Sequence, residues 1–324
     1  MSTKPVYRPI LKRALKIVWE RKILWVLGIF ASILNTGAVF TVGFRALQPV
    51  QTEGGFLTIL LTNIIPGFAS LHLYISQFII ISPLRAVVTL LVILIITIAF
   101  MILSVYSQGG LIKGVLSHKA LKTNQLFELP KNCPWRIFSI NLTAKVCVAL
   151  LLALSAVPLA LLATNVFMNL LASFVVLLFF VIVILIISLI ALLAIASTVQ
   201  DKTNLIESIE QAFLIFKKHP LVTFETALLL LLIHFIGVAL ALVVILALWL
   251  PYTVVFFLAT LTGITFLTTI VSIIITIIGL IIILGLTGFM VAYQFAVWAI
   301  VFEKLKGRGL IPKLHRFKKT FRLL

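Results

Sequence analysis

Acidic side chains are what this sequence has least of: eight Asp and Glu stand against 26 Lys and Arg in 324 residues, and Asp201 is the single aspartate. Catalysis by paired carboxylates, or a metal held by them, needs several such groups converging at one point. The five histidines, His72, His118, His219, His234 and His315, are scattered without the His-Glu-x-x-His spacing or an equivalent. Cys133 and Cys147 lack the paired spacing of a zinc site or of a secreted disulfide framework. The expectation is therefore no enzyme, no metal and no cofactor. Charge of either sign is scarce as well. Charged residues make up 10% of the chain and hydrophobic ones 63%, too little polar side chain to clothe a water-soluble globule.

Long apolar sequence is what fills the gap. A helix needs roughly 20 apolar residues to cross the hydrocarbon core of a bilayer. The uncharged stretches 23–44 and 86–112 hold one span each. Those at 146–200 and 226–302 hold two spans each, with breaks expected around Thr164 to Asn169 and at Leu250-Pro251-Tyr252. The runs are continuously apolar, as in LLVILIITIAF, whereas barrel strands alternate with period two. The expected fold class is all-α: a polytopic membrane protein of six transmembrane helices arranged as three hairpins, near 23–44 and 84–107, 137–163 and 170–199, 221–250 and 264–302. The basic segment 1–22 feeds a full-length span with no clear small-x-small cleavage site, so the first helix is expected to stay.

The stretch 54–84 is uncharged but interrupted by Pro66-Gly67 and several polar residues, and charge decides its placement. If it does not span, the basic residues of 1–22, 113–145, 202–218 and 304–322 share one side, and only Arg45 and Arg85 oppose them. If it spans, the basic residues divide between the two sides. The positive-inside rule selects the first arrangement. Trp19, Trp25, Tyr106, Trp135 and Trp298 then fall near cytoplasmic ends, while Trp249 and Tyr252 flank the outer turn, as an aromatic belt requires. The expected organisation is an amphipathic cytoplasmic segment 1–22, a membrane domain 23–302 with 54–84 as a non-spanning outer cap, and a basic amphipathic cytoplasmic tail 303–324. Both termini are expected in the cytoplasm and the protein in the plasma membrane.

The segments that feed the first and third hairpins resemble one another at a spacing of 198. Ala14-Leu15 leads through Ile17 and Val18 to Arg21, as Ala212-Phe213 leads through Ile215 and Phe216 to His219. Both are amphipathic at helical period: Ile10, Leu11, Ala14, Leu15 and Val18 oppose Lys12, Arg13, Lys16 and Glu20, and Leu205, Ile206, Ile209, Ala212, Phe213 and Phe216 form the later stripe. Such helices are expected along the inner leaflet. The middle feeder, from Leu121 onward, is interrupted by Pro130 and Pro134. A threefold parallel repeat is the reading these feeders suggest.

The stretch QGGLIKGVLSHKALKTNQLFEL, its echo DKTNLIESIEQAFLIFKKHPLVTF, and a Tyr293-Gln294 element in the last helix appear in an order that resembles a known family. It is similar to the six-helix membrane domain found beside glycerophosphodiester phosphodiesterases, and to related stand-alone bacterial membrane proteins of unknown function. The resemblance covers nearly the whole chain and implies a six-helix membrane domain. The catalytic barrel accompanying some relatives would need roughly 250 further residues with its own carboxylates, so phosphodiesterase activity is not implied here.

Ionisable residues inside spans are functional candidates by default, and Lys145, Glu225 and His234 are those here. Lys145 is placed to snorkel toward the inner surface; a Lys145–Glu225 pair between helices is an alternative. His234 is expected as a neutral imidazole bonded to a neighbouring helix rather than as a proton relay. Asn141 and Gln294 are read as interhelical glue, and the small-residue rows Gly288, Ala292, Ala296 and Gly28, Ser32, Thr36 as places of close helix approach within one bundle. In the tail, Lys313, Arg316, Lys318, Lys319 and Arg322 flank an apolar row, a pattern suited to anionic lipid headgroups. The leading expectation is a non-catalytic membrane module organising lipid, the anionic lipid of the inner leaflet, or an unidentified protein partner. A transporter or channel with a polar path near Lys145, Glu225 and His234 is the alternative, and no nucleic acid is expected, since the basic tail carries no recognisable motif for it.

Overall fold

The computed structural model describes residues 7–34, 83–117, 121, 123–130, 132–161, 166–262 and 265–307. Among these residues the chain is helical, in the order α1 (Tyr7–Glu20), α2 (Ile23–Leu34), α3 (Pro83–Leu116), α4 (Thr123–Phe127), α5 (Cys133–Leu161), α6 (Val166–Asp201), α7 (Leu205–Lys218), α8 (Pro220–Thr262) and α9 (Thr265–Gly307). Five stretches are long and apolar enough to cross a membrane: Val87–Leu116, Cys133–Leu151, Ile182–Asp201, Pro220–Ala259 and Thr269–Lys306. They mark a multi-pass, helical, membrane-embedded protein. The described part of α2 is a shorter apolar helix. The cap expected at 54–84 lies outside the described residues except for its last two, which open α3.

The long helices divide along their length. Leu90 through Ile98 on α3, Phe174 and Phe179 on α6, Phe235 through Val243 on α8 and Ile273 through Ile278 on α9 are largely exposed, a surface that only lipid tails can cover without cost. Toward the charged ends the same helices become buried: Leu111 and Ile112 on α3, Leu193 through Ala196 on α6, Val222 on α8 and Ala292 through Phe302 on α9. Trp298 belongs to this second zone and is 2% exposed, so it is core and not the interfacial anchor its position suggested.

Pro251 does not end its helix. The break expected at Leu250-Pro251-Tyr252 is absent, and α8 continues eleven residues beyond Pro251 to Thr262. A proline removes one N–H and crowds the carbonyl four residues back, but a lipid-embedded helix has nowhere better to send its remaining backbone groups. Thr253 Oγ1 donates to the Leu250 carbonyl at 2.7 Å beside the gap. With 43 residues each, α8 and α9 run about 64 Å at 1.5 Å per residue.

Contacts divide the chain into two compact units. The first comprises Met1–Ser32, Ser107–Leu129 and Phe213–Leu324, and the second Ile33–Tyr106 with Pro130–Ala212. In the first, α1 packs on α9 and α8 along α9; in the second, α5 packs on α6. Within the second, Val148 of α5 meets Phe180 and Ile184 of α6.

Candidate functional site

The features that combine charge, aromatic surface and small residues lie where the short helices meet the long ones. The spacing of 198 reappears as geometry. Both α1 and α7 are 14 residues long, Tyr7–Glu20 and Leu205–Lys218, and both bury the same register, Ile10 and Ala14 in one, Ser208 and Ala212 in the other. Each ends in a one-turn bond from the elbow residue, Arg21 N to Ile17 O at 3.1 Å and His219 N to Ile215 O at 3.0 Å, before the next helix begins.

In the second unit, α7 is started and held by polar side chains. Lys202 adopts φ 57°, the left-handed turn that ends α6. Asn204 precedes α7, and Glu207 Oε2 accepts from the Asn204 N–H at 3.1 Å, which satisfies a donor at the start of the helix. Ser208 Oγ donates to the Asn204 carbonyl at 2.7 Å and lies 2.9 Å from Thr198 Oγ1 of α6, while Ser197 Oγ donates to Gln211 Oε1 at 2.7 Å. Arg136 of α5 donates to the carbonyls of Lys202 and Thr203 at 2.9 and 2.7 Å, which fastens the loop. On α7, Ile206 and Phe213 are exposed apolar side chains, beside exposed Glu207 and Glu210.

In the first unit, the close approach of α2 to α9 needs glycine on both sides. A Cβ built on Gly288 would fall inside 3.0 Å of the Trp25 carbonyl oxygen and 2.7 Å from Ile29 Cγ1, and one on Gly28 would fall 2.8 Å from the Gly288 carbonyl carbon. The glycines that head the two small-residue rows read from the sequence thus meet each other within one chain, while Thr36 lies outside the described residues. Two acids tie α1 down: the Tyr7 hydroxyl donates to Glu225 of α8, and Arg13 lies 3.8 Å from Glu303 of α9. At the elbow, the Arg21 guanidinium donates to the Gly114 and Ser117 carbonyls, closing the end of α3, and Lys113 Nζ donates to the Gln125 and Glu128 carbonyls at 2.6 and 2.7 Å.

Beside Arg21 sits an aromatic group. Trp19, Trp25 and Phe289 have centroids 5.1 to 6.1 Å apart, and Tyr293 stacks on Phe289 at 6.3 Å. Trp25 Nε1 donates to the Val18 carbonyl at 2.8 Å. Lys22 Nζ lies 4.5 Å from the Trp19 ring centroid and 4.4 Å from that of Trp25. Sequence reading placed these tryptophans at an interface but did not single out Lys22; the i, i+3, i+6 spacing of Trp19, Lys22 and Trp25 was the available signal.

The three intramembrane candidates lie on two helices. Lys145 is an exposed residue of α5 in the second unit, and Glu225 and His234 belong to α8 in the first. Glu225 receives the Tyr7 hydroxyl. His234 lies nine residues further, about 14 Å along the helix, and its Nδ1 faces the Leu230 carbonyl of its own helix at 2.8 Å. A carbonyl can only accept, so Nδ1 carries the proton. Asn141 likewise donates to a carbonyl of its own helix, Ile137 at 2.9 Å. Among the described residues no group of three or more His, Cys, Asp and Glu is placed to hold a metal. Lys313, Arg316, Lys318, Lys319 and Arg322 lie outside the described residues. Comparison with protein-family models, with curated proteins and with solved structures returned no match.

Proposed function

We propose that the protein is a non-catalytic module of the cell membrane, with six spans and both termini in the cytoplasm, that organises anionic inner-leaflet lipid or a partner protein. The observation that carries this reading is the outer face of the short helices. Leu15 and Trp19 on α1 and Ile206 and Phe213 on α7 are exposed apolar side chains, and Lys12, Lys16, Lys217 and Lys218 are exposed on the same helices. Apolar rows flanked by cations suit burial at the boundary between headgroups and acyl chains. The scarce acids support the same reading, because Glu225 and Glu303 tie α1 to other helices and Glu207 closes the start of its own helix.

The experiment is purification of the full chain with its native lipids, followed by mass spectrometry of what remains bound. Enrichment of anionic phospholipid, or of one protein, over the bulk membrane is expected; a protein carrying neither overturns the proposal. Tags at residue 1, near Asn124 and at residue 324 should report cytoplasm and one near Glu53 the outside, and an outside C-terminus would remove the six-span arrangement. A peptide of residues 304–324 should gain helicity on anionic vesicles and release as salt rises. Equal binding to neutral vesicles would exclude the tail residues Lys313, Arg316, Lys318, Lys319 and Arg322 as headgroup contacts.

A further inference from the structure

We propose that the elbow between α1 and α2 is a binding site for one anionic phospholipid, with Lys22 receiving the phosphate and the Leu15–Trp19 row receiving an acyl chain. This rests on the lipid-organising reading and adds to it a defined site. A lysine ammonium is ordinarily a mobile charge on a four-carbon stem. Here it stands within 4.5 Å of two indole faces, which attract it through their ring quadrupoles and fix its position. The rings are themselves fixed, Trp25 by its bond to the Val18 carbonyl and both by Phe289. Ordering that would otherwise oppose ligand binding is thus already present. Lys22 stays exposed, with N–H donors to offer a phosphate in a charge-assisted bond.

The surroundings have the polarity of a phospholipid. Leu15 and Trp19, 46% and 58% exposed, lie one turn apart on one face of α1, and Lys22 follows three residues on. The neighbouring cation, Arg21, is occupied by the carbonyls that end α3. The elbow geometry does not require this trio. At the equivalent turn 198 residues later, Lys217, Pro220 and Thr223 stand in place of Trp19, Lys22 and Trp25, and the chain still turns there.

Native mass spectrometry of the full chain in mixed micelles tests the site, with phosphatidylglycerol, phosphatidylcholine and soluble glycerol phosphate as probes. The wild type should retain phosphatidylglycerol over phosphatidylcholine. Lys22→Gln should lower that retention by about fivefold, the weight of one well-placed cation, and Lys22→Arg should restore it. Trp19→Leu keeps an apolar side chain at an exposed position and removes only the indole, so it should also lose retention even if Lys22→Gln folds poorly. Arg8→Gln removes another exposed charge from α1 and should behave as wild type. Equal losses in Arg8→Gln and Lys22→Gln would show diffuse charge, overturning the site and leaving the lipid-organising reading intact. Displacement of the lipid by an equal concentration of glycerol phosphate would assign the site to free phosphate and overturn the lipid assignment. Wild-type protein that retains neither lipid would overturn both.

Discussion

Replacing Gly288 by alanine should destabilise the protein, whereas the same change at Gly285, one turn earlier on α9, should not. In a helix interior alanine is favoured over glycine by about 1 kcal/mol, because glycine loses more backbone freedom on folding. Around Gly285 a new Cβ meets nothing within 4 Å, so that gain should appear almost undiminished. At Gly288 the Cβ falls inside 3.0 Å of the Trp25 carbonyl oxygen, where ordinary contact begins at 3.4 Å. The obstacle is backbone and cannot rotate aside, so α2 must move by about 1 Å, a shift that forfeits up to half of the dispersion energy of the contacts it opens. Leu24, Leu27 and Ala31, buried on α2, would lose packing. Overpacking of this kind costs about 3 kcal/mol, for a net loss of about 2 kcal/mol and a separation of about 3 kcal/mol between the variants. Reversible denaturation by SDS in one detergent, with both variants and wild type measured together, reads this directly. Gly288→Ala as stable as Gly285→Ala would refute the close approach of α2 to α9.

Arg21→Ala should lose about 1–2 kcal/mol by leaving the terminal carbonyls of α3 without their guanidinium donor, and amide hydrogen exchange should accelerate at the C-terminal turn of α3; unchanged exchange there would count against the cap. In a double-mutant cycle, Tyr7→Phe and Glu225→Gln should couple by about 1–2 kcal/mol, since a hydroxyl bonded to a carboxylate is charge-assisted; additive effects would mean that the bond holds nothing. Burial, and then the Lys218 charge, lower the His219 pKa from the ordinary 6.5. A base with a depressed native pKa binds protons more tightly when unfolded, so His219 leaves stability intact above about pH 6.5 and weakens the fold as pH falls through that value. Thermal melts from pH 7.5 to 5 should show this decline, and His219→Gln should flatten it.

Much of the fold was legible because it depends on local pattern. Continuous apolar runs with few charges specify helices in lipid whatever their neighbours are, since every backbone group must be satisfied within the segment. The elbow spacing of 198 was equally visible, because Ala14 with Arg21 and Ala212 with His219 carry the helical register in their own order. The proline at 251 misled for a related reason: in water its effect is to end helices, whereas in lipid an apolar helix gains from keeping its remaining backbone bonds, and α8 runs on to Thr262. The small-residue rows announced close packing, and their partner was found by folding alone.

The candidate site was legible in kind and not in arrangement. The sequence by itself determined that acids are few, that cations gather at the helix ends, and that aromatic residues accompany them. Which groups meet was decided by the tertiary structure. Glu225 bonds Tyr7 across 218 positions. Phe289 backs Trp19 and Trp25, and Lys22 settles between their indoles. Hydropathy and helical period constrain a residue through neighbours three and four positions away, while the contacts of α1 with α8 and α9 depend on tertiary packing, and no local pattern records that.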